Sequence, residues 1–99
     1  MNMLIPMDGD DQEESKITDV FSAESWALIE MDNGEVKNIS FIESYNEIIG
    51  NIDTVIVKNE YEPIMEFLEN EIMILVAPTQ RTIEDIIEAY VFKELRDLS

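Results

Sequence analysis

The feature that most constrains this chain is a pair of short apolar runs, Thr54–Val57 (TVIV) and residues 72–76 (IMILV). Neither run alternates with polar residues, and the first is β-branched throughout, the pattern of strands buried on both faces. Parallel strands of that kind need a crossover between them, usually a helix. Residues 59–70 can supply it. Asn59 followed by Glu62 resembles a capping box, Pro63 lies near the start of the segment, and Tyr61, Ile64, Met65 and Leu68 would form its apolar face. A further helix follows the second run. Thr82 with Asp85 marks its start, and Ile83, Ile86, Ile87, Tyr90, Val91 and Leu95 trace one stripe. Lys93 and Arg96 would then stand near its carboxyl end, where cations suit the helix dipole.

The first half of the chain reads as strands. Residues 3–7 (MLIPM) form an apolar run that opens into Asp8-Gly9-Asp10-Asp11, and Pro6 marks a ladder that is interrupted or at an edge. Residues 25–31 and Glu35–Ile42 flank Asn33-Gly34, the strongest short-range hairpin signal. Residues 44–49 predict a short helix closed by Gly50-Asn51. Ninety-nine residues leave no room for a second core, so residues 1–99 are expected to form one domain. The expected fold is α/β: a mixed five-strand sheet with an antiparallel hairpin at one edge and about three helices.

Charge excludes several partners. Six Lys and Arg stand against 23 Asp and Glu, a net of -17. Nucleic-acid binding needs clustered cations that displace counterions from phosphate, and anionic lipid makes the same demand. Neither nucleic acid nor a membrane surface is therefore an expected partner. The longest apolar run, IMILVA at 72–77, is too short to cross a bilayer, and the first residues lack the basic and apolar regions of a signal peptide. A cytoplasmic setting is expected.

The chain has no Cys and no His. Thiolate ligation, structural zinc and imidazole acid–base chemistry are thereby removed. Its serines have no His partner, and Gly9, Gly34 and Gly50 are too isolated to form a phosphate loop. The acids Asp8, Asp10, Asp11, Glu13 and Glu14 offer hard oxygens, yet they miss the calcium-loop spacing and read as a solvated charge run. The six Met read as core filling and Trp26 as packing or lining a cleft edge. An enzyme is not expected.

Five motifs occur in a telling order: LIPMD at 4–8, SKITDVF at 15–21, MDNGEV at 31–36, DTVIVKN at 53–59 and TIEDIIEAY at 82–90. Together they resemble the dinitrogenase iron-molybdenum cofactor biosynthesis family. That resemblance implies a ribonuclease H-like three-layer fold and a non-enzymatic carrier of an iron-sulfur or iron-molybdenum cluster. The family's His-Phe-Gly loop falls here on Val20, Phe21 and Ser22, and the first helix is shortened. Valine supplies no ligand for iron, so the cargo is such a cluster, a replacement ligand, or none. A ligand in an open α/β sheet binds beyond the strand ends. Asp8, Ser15, Asp19, Phe21, Asn59 and Thr79 are the residues expected to line that cleft. The alternative is an acidic interaction module that has lost cofactor binding and docks a basic protein partner.

Overall fold

The computed structural model describes residues 1–98. Its six strands are β1 (Asn2–Met7), β2 (Ser25–Asp32), β3 (Glu35–Ile42), β4 (Thr54–Val57), β5 (Met73–Val76) and β6 (Arg96–Asp97). They form one sheet in the order β3-β2-β1-β4-β5-β6. The two apolar runs behave as their composition requires. β4 lies parallel to both β1 and β5, and every residue of β4 is buried. β2 is antiparallel to β1, and β3 to β2, so the hairpin occupies one edge. Asn33 and Gly34 turn it with φ of 54° and 78°, the paired positive values that match strand twist in a two-residue loop. Pro6 stands in an interior strand, opposite Trp26, but the β1–β4 pairing covers only Met3 and Leu4. The ladder is interrupted there, as a residue without an N–H demands.

Strand alternation divides the interior into two cores. Met3, Ile5 and Met7 with Ile56 and Leu75 face one side, where Ile83 and Ile86 of α2 (Ile83–Val91) cover them. Leu4, Val55, Val57, Ile74 and Val76 face the other, against Phe67 of α1 (Met65–Glu69). Trp26 belongs to this second core. Its ring meets Tyr45 at 4.7 Å and Phe67 at 6.2 Å, both edge-on, so packing is its role.

Four expectations about the fold are corrected. The sheet has six strands and the described residues hold two α-helices. The extra strand arises because α2 stops early. Lys93 takes φ of 60°, and the N–H groups of Glu94 and Lys93 donate to the carbonyls of Ala89 and Tyr90, a Schellman ending. The chain then reverses, and Arg96 pairs with Val76 in β6 instead of extending the helix.

The crossover helix is also shorter than its apolar pattern suggests. Pro63 disfavours the helical region for Glu62, so α1 begins only at Met65. Tyr61 is 87% exposed, while Phe67, outside the expected stripe, is 1% exposed. Finally, residues 44–49 make turns leading into a 3-10 segment, Ile49–Asn51, with i to i+3 bonds from Ile48 and Asn51. Tyr45 is drawn to Trp26 and Phe67, which favours that tighter path over a regular helix.

Candidate functional site: the carboxyl ends of the parallel strands

β1, β4 and β5 run in one direction, so their carboxyl ends share one rim of the sheet. The acidic loop after β1 folds back across this rim. Ile17 bridges Met7, its N–H donates to the Arg81 carbonyl at 2.8 Å, and Lys16 bridges Thr82. The loop after β1 is thereby tied to the loop after β5.

Four polar side chains of the acidic loop, Asp8, Asp11, Ser15 and Asp19, are engaged in holding the loop itself. Asp8 accepts from the Lys16 N–H at 2.8 Å. Buried Ser15 accepts from the Asp11 N–H at 2.8 Å, and a Cβ on Gly9 would stand 2.9 Å from its hydroxyl. Gly9 is therefore required by close approach. Asp19 caps the 3-10 turn Val20–Ser22 by accepting from the Ser22 N–H at 2.9 Å. The N–H groups of Glu14 and then Glu13 hold the exposed Asp11 carboxyl below the usual carboxylate range. Phe21 is 86% exposed.

Across the rim, Asn59 accepts from the Tyr61 N–H at 2.8 Å and donates to Glu62. Glu62 is the buried carboxylate of the site. Its Oε1 accepts from the Val20 N–H at 3.0 Å, joining the loop after β4 to the loop after β1. Lys58, Asn59, Tyr61, Pro78 and Arg96 line a cleft of about 290 Å³, with Arg96 ion-paired to Glu60. Of the six expected cleft residues, only Asn59 lines it. Thr79 is exposed on the loop beside it, while Asp8, Ser15 and Asp19 are turned into their own loop.

Glu62 and Arg96 were not legible as site residues. Glu62 read only as half of a capping box, and Arg96 reaches the rim through a strand of two residues. Gln80 Oε1 is buried without a hydrogen-bond partner, a single orphaned oxygen among the described residues.

A directly ligated metal cluster does not fit this donor set. Among the described residues no three His, Cys, Asp or Glu side chains are placed to hold a metal ion. The carboxylates nearest the rim already accept backbone N–H groups, and soft iron-sulfur chemistry asks for thiolate or imidazole.

Fold and rim together define a small α/β domain: a mixed sheet with interlocked loops over the ends of its parallel strands. This architecture is shared, along nearly the whole chain, with solved proteins linked by description to dinitrogenase. A crystal structure of a provisionally assigned dinitrogenase from Methanocaldococcus jannaschii superposes with a TM-score of 0.78 at 22% identity, over 100% of this chain and 95% of that one. An NMR structure of a dinitrogenase assigned in the same way, from Methanococcus jannaschii, gives 0.78 at 24% identity, over 100% and 93%. The NMR structure of a provisionally assigned NifB protein from Thermotoga, placed in the DUF35 family, gives 0.70 at 16% identity, over 98% and 92%. The likeness read from the five motifs is thus matched by the fold along the full chain. No family model and no curated protein matches the sequence.

Proposed function

We propose that this chain is a non-catalytic, cytoplasmic binding domain on the dinitrogenase-like scaffold, and that it acts by docking a cationic protein partner. The observation that carries this reading is uncompensated charge. Six Lys and Arg stand against 23 carboxylate side chains, so the net of -17 persists whatever ion pairs form, such as Lys37 with Glu35 and Arg96 with Glu60. A field of one sign steers and selects a partner of the other. The strand order β3-β2-β1-β4-β5 supports a ribonuclease H-like reading of the layers.

A second reading is favoured by the shared fold: carriage of an iron-sulfur or molybdenum-containing cargo, or of a replacement ligand, at the strand-end rim. The described proteins that share the fold support it, and the donor set opposes it. One experiment separates the two. The purified protein is incubated anaerobically with iron, sulfide and molybdate, then passed through gel filtration with metal analysis. The docking reading expects a metal-free protein peak. Iron co-eluting at a fixed stoichiometry would overturn it in favour of the carrier.

A further inference from the structure

One face of the sheet is only partly covered. Six strands at ~4.8 Å spacing span roughly 24 Å, whereas a helix with its side chains is ~10 Å wide. α2 is the α-helix packed on that face, and its nine residues sit over the central strands. Beside α2, toward the β3 edge, lies a groove of about 530 Å³. Its floor is apolar: Val36 and Ile39 from β3, Ile83 and Ile87 from α2. Val36 is 38% exposed. On the opposite face, Tyr45, Ile48 and Ile42 pack against its core.

The rim of the groove is acidic. Glu84 and Glu88 stand one turn apart on α2, and Glu13 faces them from the acidic loop. None of the three joins an ion pair among the described residues, and the nearby cation on β3, Lys37, is held by Glu35. Apolar floor and anionic rim together specify an occupant. Adjacent helices on a sheet lie 8–10 Å apart, so a helix laid beside α2 would cover Val36 and Ile39 and touch Ile87. Its flanks must carry Lys or Arg to meet the three carboxylates. A second copy of this chain does not suit, because α2 itself carries Glu84, Asp85 and Glu88.

We propose that the groove between α2 and β3 docks a cationic amphipathic helix of a partner protein. This deepens the docking reading above and rests on it. The probe is a synthetic peptide of about four turns, with Leu along one helical stripe and Lys elsewhere. A control of the same composition has its Leu residues scattered. Each is titrated into isotope-labelled protein while backbone amide shifts are followed. The expected result is shifts centred on Val36, Ile39, Ile83 and Ile87, with the ordered peptide at least ~10-fold tighter than the control. Glu13→Lys with Glu88→Lys, both exposed, should weaken the ordered peptide by ~10-fold or more, the scale of close charge pairs. Equal binding of both peptides with shifts scattered over the acidic surface would overturn the groove and leave the docking reading standing. Binding unchanged by the two charge reversals would also overturn the groove. Failure of both peptides to bind would overturn groove and docking reading together.

Discussion

Tyr45 carries more of the fold than its place in a loop suggests. Its ring joins Trp26 to Phe67, and its hydroxyl donates to Glu66 Oε1 at 2.5 Å. Burial first, then the hydrogen bond and negative charge of Glu66, push the phenol up to about 12 from its usual 10.0. Between those values the folded state keeps a proton that the unfolded state has lost, so raising pH favours unfolding. The contribution of Tyr45 is therefore fully present below about pH 10 and is lost as pH rises through about 12. Urea unfolding across that window should show a fall in stability in the native chain, and Tyr45→Phe should remove this component of it. An equal fall in the variant would mean that the hydroxyl is not its source. Glu62 shows the same dependence on distant partners. Its neighbours in sequence suggest a helix cap, but its carboxylate serves the Val20 N–H, 42 positions away.

At the level of elements, α2 is the clearest case of local chemistry acting as read, up to its end. Thr82 accepts from the Asp85 N–H at 3.2 Å, as the capping pattern implies. The apolar stripe, however, runs on past the point where the helix stops. Lys93 takes a left-handed conformation that glycine adopts without penalty, and that strain is accepted so that β6 can pair with β5. Lys93→Gly should stabilise the protein by about 1 kcal/mol, the scale of the left-handed penalty for a side chain. For a domain near this size that is a rise in Tm of roughly 4–8 °C, readable by calorimetry. An unchanged or lower Tm would show that Lys93 contributes contacts that outweigh the strain.

At the scale of the molecule, charge dominates. A net of -17 on a body with a radius of gyration of 11.9 Å places many carboxylates within a screening length of one another. Self-repulsion of that kind destabilises the compact state. Tm should rise as salt is raised from about 0.1 M to about 1 M, where the screening length falls from ~10 Å to ~3 Å. A flat or falling Tm in sodium chloride would mean that the carboxylates are compensated in the fold. Among the described residues no helix is long and apolar enough to cross a membrane.

Elements whose signal is local were legible in the sequence. The β4 and β5 runs, the Asn33-Gly34 turn and the Thr82 cap each depend on residues within a few positions, so period and turn chemistry suffice to read them. The overall scaffold followed from their order. What tertiary structure decided has long-range causes. β6 exists because β5 offers an open edge at Leu75 and Val76, and Phe67 rather than Tyr61 is buried because Pro63 delays the helix. The rim was half legible. Asp8, Ser15 and Asp19 do lie on the loop that crosses the strand ends, yet their oxygens bond to that loop's own N–H groups. Residue type and position can nominate a carboxylate for a ligand. Only the folded backbone shows which N–H groups have already claimed it, because each buried donor must find an acceptor before any ligand can.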